Sequence, residues 1–332
     1  VFVNRTLNMK KINYIGLDMD HTLVRYKTAN FEQLAYNSMC EKLVAEMGYP
    51  ESISQLKFDF TRAIRGLVID KVRGNILKLS RHAAIRESYH GTRPITFAEQ
   101  KKLYKSTYID LSHPDYDPVD TSFSYSFATL FAQLVDQKDG PLATQLPDYA
   151  QIAADLAQVL DRAHRDGTIK DTVGKNLDHY IIKDPEVVKG LENYKKHGKK
   201  VFVATNSEYF YTKLLMEYAI QPFLENNEKW SDLFEFVITL ARKPRFFFDR
   251  LHFLKINPED GTMINAESIE PGCIYQGGCA ELLTQKLNIS PEEILYIGDH
   301  IYGDVVRLKK DCAWRTALVV EEIDEEIENS QK

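Results

Sequence analysis

Four short apolar runs in this 332-residue chain each end on residues that carry chemistry, and the first sits only a few residues from the start. It is Tyr14-Ile15-Gly16-Leu17, closing on Asp18-Met19-Asp20-His21-Thr22-Leu23. A short buried strand that delivers two carboxylates at its tip, followed by a threonine and an apolar turn, is what magnesium-assisted phosphoryl transfer requires. Carboxylates one residue apart on a regular strand point to opposite faces, so Asp18 and Asp20 can share one ion only if the backbone turns between them. The pair therefore belongs at a strand end. Taken alone, an Asp pair after a strand is equally a turn or a helix cap.

The other three runs narrow the choice. Lys200-Val201-Phe202-Val203-Ala204 ends in Thr205-Asn206-Ser207, whose hydroxyl, amide and backbone N–H groups suit phosphate oxygens as well as the start of a following helix. Phe234-Glu235-Phe236-Val237-Ile238-Thr239 is followed by Ala241-Arg242-Lys243-Pro244, a cation at a strand end, although a lone lysine is ordinarily a solvated surface charge. Ile294-Leu295-Tyr296-Ile297-Gly298 ends in Asp299, with Asp304 five residues on. Asp304 also reads as a helix-start acid favoured by the dipole.

In this order the four elements resemble the haloacid dehalogenase superfamily of phosphohydrolases. More narrowly, Asp-Met-Asp-His-Thr-Leu, Thr-Asn-Ser, Arg-Lys-Pro and Ile-Gly-Asp-His-Ile-Tyr-Gly-Asp resemble the cytosolic purine 5′-nucleotidases that act on IMP and GMP. The likeness extends to Arg65-Gly66-Leu67-Val68-Ile69-Asp70, Gly74-Asn75-Ile76-Leu77-Lys78, Tyr275-Gln276-Gly277-Gly278 and Trp314-Arg315-Thr316, and so spans nearly the whole chain.

Strands with their chemistry at the carboxyl ends predict an α/β fold with an open, mostly parallel Rossmann-like sheet. Trp314-Arg315-Thr316-Ala317-Leu318-Val319-Val320 adds an expected fifth strand after a helix-like stretch at 305–310. The gap between Asp20 and Thr205 far exceeds the ~30 residues of one crossover, so a separate unit is inserted there. We expect a catalytic core from 1–30 and 186–332 and a large, mainly helical cap from 31–185. Its helical periodicity is plain in Leu156, Val159, Leu160 and Ala163. A second excursion before Asp299 reads as a hairpin around residues 257–261 followed by a helix through residues 280–284.

Hydrophobic content of 44% with 27% charged residues is ordinary for a soluble globular protein. A formal charge of −6 gives no basic patch for a nucleic-acid polymer or a membrane surface, so a nucleotide would be a small substrate. No apolar run is long enough to span a bilayer, and residues 1–6 lack the pattern of a signal peptide, so the expected location is cytoplasmic. Cys40, Cys273, Cys279 and Cys312 show no metal-binding spacing and read as free thiols. The acidic run from Glu321 reads as a solvated surface segment. The expected assembly is a homo-oligomer, a dimer or tetramer.

A phosphomonoester dianion repels nucleophiles, so a catalyst must neutralise charge, hold phosphorus in line and protonate the leaving oxygen. Asp18 would attack phosphorus and form an aspartyl phosphate. Asp20 would protonate the ribose 5′ oxygen and then take a proton from the hydrolytic water. Mg2+ suits an all-oxygen site made by the Asp18 carboxylate and, by resemblance, the Asp20 backbone carbonyl and Asp299. Asp304 either joins the metal shell or orients a metal-bound water and Lys243. Thr205, Asn206 and Ser207 would hold phosphate oxygens, and Lys243 would offset negative charge.

The resemblance implies that the cap reads the base, with Phe123 in the stacking position, Ser124 beside it, and Asp161, His164 and Lys170 as a polar cluster. A core aromatic and a solvated helix end are the competing readings. Two departures bear on substrate preference: Arg165 replaces an aromatic common in the family, and Ala157 replaces a basic residue. The leading expectation is a magnesium-dependent hydrolase of IMP and GMP. A phosphatase or phosphotransferase for another small phosphomonoester, and a catalytically silent nucleotide-binding regulator, are the alternatives.

Overall fold

The computed structural model of the chain describes residues 7–105, 108–225, 229–323 and Ile327. The opening residues 1–6 and residues 324–326 of the acidic run lie outside the described residues. The chain divides into two compact units, Val1–Tyr26 with Ile181–Lys332, and Lys27–Tyr180. The crossings fall at Tyr26/Lys27 and Tyr180/Ile181 rather than at 30/31 and 185/186. Strands Arg25–Tyr26 and Ile181–Ile182 pair antiparallel and keep those residues with the first unit.

In the first unit every residue of strands Tyr14–Leu17 and Phe236–Thr239 is buried, the near-continuous apolar pattern of strands covered on both faces. They belong to an 8-stranded sheet ordered Met263–Asn265, Phe253–Ile256, Cys273–Gly277, Phe236–Thr239, Lys200–Ala204, Tyr14–Leu17, Ile294–Gly298 and Arg315–Leu318. The neighbours from Cys273–Gly277 to Arg315–Leu318 pair in parallel. The four strands that carry the motifs are thus consecutive and point the same way. Their carboxyl ends lie along one edge only about 14 Å wide, at roughly 4.8 Å per strand.

Close packing around the central strand requires Gly16. A Cβ there would meet the Phe202 ring at 2.4 Å and the Tyr296 ring at 2.7 Å, from the strands on either side. Phe202, Phe236, Tyr275, Tyr296 and Trp314 form much of the core around it. The expected fifth strand is Arg315–Leu318, and the expected hairpin is Phe253–Ile256 with Met263–Asn265, followed by helix Ala280–Leu287. The stretch after Asp299 opens as a π-helix, Ile301–Val306, before α-helix Arg307–Asp311.

The second unit packs helices Thr28–Met47, Tyr125–Asp139 and Tyr149–Arg165 on a core that includes Tyr36, Leu43, Phe131, Leu134, Ile152 and Leu156. Leu156, Val159 and Ala163 are buried on one face of Tyr149–Arg165, and Leu160 packs at its edge, as the periodicity predicts. The helices are joined by an antiparallel 5-stranded sheet, ordered Arg93–Pro94, Ile85–His90, Asn75–Leu79, Leu67–Asp70 and Tyr116–Pro118, which the periodicity does not reveal. Among the described residues no helix is long and apolar enough to cross a membrane.

Candidate active site

Asp18 is the last residue held by the central strand, its N–H donating to Ile297 O at 2.9 Å. Beyond it the chain folds over: Met19 O accepts from the N–H groups of Leu23 at 2.9 Å and Val24 at 2.8 Å, and His21 takes a left-handed φ of 53°. That turn is the break which two convergent carboxylates need. Asp18 Oδ1 accepts the Met19 N–H at 2.7 Å, and its Oδ2 lies 2.7 Å from Lys243 Nζ.

Lys243 is the hub of the site. Its ammonium, with only 5% of the side chain exposed, also donates to Asp304 Oδ1 at 2.9 Å and to the Tyr296 hydroxyl at 2.9 Å. Tyr296 donates its own proton to Ala204 O at 2.8 Å, tying the cation to the two strands that flank Tyr14–Leu17. The loop that delivers Lys243 holds Leu240 and Arg242 at φ of 43° and 58°, a sparsely populated region for residues other than glycine. Backbone bonds from Leu240 N to Ser207 O and from Ala241 N to Thr205 O, each 2.9 Å, hold it in place.

Asp304 is 1% exposed and its Oδ2 accepts the His300 N–H at 3.2 Å. A Cβ on Gly298 would stand 2.3 Å from that same oxygen, so the strand can end here only on glycine. Asp18, Asp299 and Asp304, all buried, offer carboxylate oxygens within 4.8 Å of one another.

Asp20 is held on both oxygens. Oδ1 accepts the Tyr26 hydroxyl at 2.7 Å, and Oδ2 accepts the Ser207 hydroxyl at 2.9 Å. The Thr205 hydroxyl lies 3.5 Å from Oδ2 and also accepts the Ser207 N–H at 3.0 Å. Ser207 therefore bonds the Asp20 carboxylate, where phosphate contact is expected. Asn206 likewise differs from expectation: its side chain clamps the Lys243 backbone, accepting the N–H at 2.6 Å and donating to the carbonyl at 3.0 Å. The amide positions the lysine loop.

Charge at this edge is out of balance. Asp18 and Asp304 hold Lys243, Asp299 and Asp20 act on Asp18, and the imidazole of His21 lies 3.6 Å from Glu321. Burial pushes the Asp18 carboxyl well above the usual carboxylate range; Lys243 works against this, while Asp304, Asp299 and Asp20 reinforce it. Burial alone would lower the Lys243 pKa, yet Asp18 and Asp304 hold it well above the ordinary lysine value. Crowded negative charge adds to the first shift and causes the second. Hard carboxylate oxygens converging in a buried, electron-rich pocket fit Mg2+, which takes oxygen ligands and shares them with phosphate.

Glu321, expected to be solvated, is only 25% exposed at its side chain and reaches His21. The phenols of Tyr26, Tyr211 and Tyr296 escape sequence reasoning. Tyr296 lies inside an apolar run, and a buried phenol commonly needs a hydrogen-bond partner, which is the signal that could have found it.

The residues expected to read the base all lie in the second unit. The Phe123 ring is edge-on to Phe31 at 5.0 Å and to His164 at 6.4 Å. Ser124 precedes helix Tyr125–Asp139 without capping it through its side chain. Asp161 is paired with Arg165 at 3.2 Å, so the residue that departs from the family pattern occupies the expected polar contact. Lys170, half-buried, stands on helix Thr168–Lys175.

The chain is 31% identical over 344 residues to a 5′-nucleotidase domain-containing protein of Dictyostelium discoideum, an alignment covering 100% of this chain and 57% of that protein. It is 26% identical over 340 residues to 5′-nucleotidase domain-containing protein 2 of Homo sapiens, covering 98% of this chain and 64% of the relative. The chain thus spans about three fifths of the length of these curated relatives. Among solved structures, CbbY from Rhodobacter sphaeroides in complex with phosphate matches at 12% identity with a TM-score of 0.35, covering 93% of this chain and 87% of that one. A haloacid dehalogenase-like family hydrolase from Xanthomonas campestris matches at 11% identity with a TM-score of 0.33, covering 94% and 87%. Likenesses that loose carry no argument. The family model described as the 5′ nucleotidase family matches residues 1–332, and the chain belongs to that family.

Proposed function

We propose that this protein is a magnesium-dependent 5′-nucleotidase that hydrolyses purine nucleoside 5′-monophosphates, IMP and GMP, to nucleoside and phosphate. The observation that carries the reading is the buried lysine joining Asp18 to Asp304, with Asp299 within 4.8 Å and the doubly held Asp20 at the same sheet edge. A stable fold gains little from so many buried acids around one cation. A dianionic phosphate ester that must be bound and cleaved accounts for them.

Asp18, Asp299 and the Asp20 backbone carbonyl would hold the magnesium ion, which when bound neutralises phosphate charge and polarises the phosphoryl group. Asp304, with one oxygen taken by Lys243 and the other by the His300 N–H, is better suited to orienting Lys243. Asp18 attacks phosphorus: its oxygen–phosphorus bond forms as the bond to the ribose 5′ oxygen breaks. Asp20 gives that oxygen a proton, so the nucleoside leaves as a neutral alcohol. The Asp20 carboxylate then takes a proton from water as the water oxygen attacks the aspartyl phosphate, which restores Asp18 and releases phosphate. Lys243 holds the charge of Asp18 in the first step and of the leaving carboxylate in the second. Thr205 and nearby backbone N–H groups would hold phosphate oxygens.

Base selection would rest on the second unit, where Phe123 and His164 adjoin and Arg165 weakens the claim of Asp161. Phosphate release from IMP, GMP, pyrimidine monophosphates and sugar phosphates, with magnesium and with EDTA, tests the reading. We expect IMP and GMP to be cleaved fastest, EDTA to abolish turnover, and Asp18→Asn to lower it by roughly 10³-fold or more. Undiminished activity in EDTA or in Asp18→Asn would overturn the mechanism. Faster cleavage of a sugar phosphate would overturn the substrate.

A further inference from the structure

Asp20 meets more than its neighbours in the motif. Tyr26, 3% exposed, donates its hydroxyl proton to Asp20 Oδ1 at 2.7 Å, and the Tyr211 hydroxyl stands 3.2 Å from the Tyr26 oxygen. Tyr26 has one proton and spends it on Asp20, so Tyr211 is the donor to Tyr26 and the order runs Tyr211 to Tyr26 to Asp20. The Tyr26 ring is stacked on His21, centroids 4.8 Å apart. Its backbone is set by the register Tyr26↔Ile181, so this phenol sits on the strand by which the chain leaves for the inserted unit. Tyr211 comes from helix Tyr209–Ala219, directly after the Thr205-Asn206-Ser207 loop.

We propose that Tyr26 is a positioning residue for the acid–base step, with Tyr211 as its support; this rests on the phosphohydrolase reading above. A carboxyl group with donors on both oxygens cannot rotate about its stem without breaking one of them. Tyr26 closes the Oδ1 edge; at the Oδ2 edge the Ser207 and Thr205 hydroxyls can turn from donating to accepting, so that edge is the one assigned to proton exchange. The proton moves from Oδ2 to the departing alkoxide as the phosphorus–oxygen bond breaks. The reverse transfer, from water to Oδ2, follows in the second step. Asp20 remains the group that touches the reacting atoms, and Tyr26 acts through it.

A loss of positioning must show where a proton is needed and vanish where it is not. Tyr26→Phe keeps the ring against His21 and removes only the hydroxyl. Single-turnover release of nucleoside from a nucleoside monophosphate should slow about tenfold, part of the 10²–10⁴-fold that acid–base catalysis supplies, with KM changed by less than about twofold. Release of nitrophenolate from 4-nitrophenyl phosphate, a stable anion that leaves without a proton, should change by less than about twofold. Tyr211→Phe should give the same pattern at smaller amplitude, and it keeps the test open should Tyr26→Phe fold poorly. Tyr26→Phe added to Asp20→Asn should cost nothing further. Equal losses on both esters, or additive losses in the double variant, would overturn the proposal. If wild type cleaves no nucleotide but does cleave a simple alkyl phosphate, the nucleotide reading falls, and the same comparison with that ester still decides on Tyr26.

Discussion

Asp70 in the inserted unit and Asp304 in the first unit are equally buried, at 0% and 1% exposure, yet their surroundings differ in kind. Asp70 accepts from the Arg73 guanidinium and backbone N–H, each at 3.1 Å, and from the Tyr104 hydroxyl at 2.6 Å. The network continues from Asn75 Nδ2 to the Tyr104 oxygen at 2.8 Å, then across His90 to Asp139, which also holds Arg93 at 3.0 Å. Each carboxylate there has a cation of its own. At the sheet edge Asp18 and Asp304 share the single cation of Lys243, while Asp299 and Asp20 add further negative charge beside Asp18. Balanced burial holds a fold together, whereas an unbalanced cluster at parallel strand ends is stability given up for chemistry.

That contrast can be broken most sharply at Lys243. Lys243→Met should cost about 10²-fold or more in turnover, since it removes a fixed charge from the transition state. It should also destabilise the metal-free protein by about 3 kcal/mol, because Asp18 and Asp304 are left without their buried partner. Phosphate-release kinetics and urea unfolding in EDTA check the two halves, and an active variant would refute the role of Lys243.

A pair of isosteric changes should then move in opposite directions. Asp70→Asn should cost about 2 kcal/mol and leave kcat unchanged, for it strands the Arg73 and Tyr104 donors. Asp299→Asn should raise the stability of the metal-free protein by about 1 kcal/mol while abolishing magnesium-dependent turnover, the trade expected of a functional acid. Thermal unfolding in EDTA, read beside kcat, decides. If Asp299→Asn destabilises as much as Asp70→Asn, the contrast between the two networks is lost.

The smallest effect is in the pH dependence of stability. The Asp18 pKa is raised, so the folded metal-free protein keeps that proton to higher pH than the unfolded chain does. Its contribution is present below the ordinary value of 3.8 and is lost as pH rises above it. Asp139 is opposite: burial raises its pKa, but hydrogen bonds from Tyr149 and His90 outweigh this and hold it below 3.8. Its contribution is present above that value and is lost as pH falls. Urea midpoints between about pH 3 and pH 7 should therefore show Asp18→Asn removing a downward slope and Asp139→Asn removing an upward one. Slopes of the same sign would refute the opposed charge balances.

Much of this was legible in the residues. The runs before Asp18, Thr205, Lys243 and Asp299 read as strands because they are almost wholly apolar, and the hairpin around 257–261 because its turn residues are distinctive. The sheet of the inserted unit did not read so, since Ile85–His90 is half polar and its pattern makes sense only beside Asn75–Leu79. Residue type alone makes Asn206 and Ser207 candidate phosphate ligands, whereas their actual partners, Lys243 and Asp20, come from other strand ends. Glu321 looked like one acid in a solvated run until His21 was beside it.

The order of residues alone determined that the four motif segments become strands, that Asp18 must end one, and that a large unit is inserted after Asp20, because apolar patterning and turn chemistry act within a few residues. Only the tertiary structure decided that four motif strands are neighbours, and that Tyr26 finds Tyr211 and Lys243 finds Asp304 across 185 and 61 residues of chain. Hydrogen bonds and buried charges take the partners that folding brings within about 3 Å, and no local pattern encodes that distance.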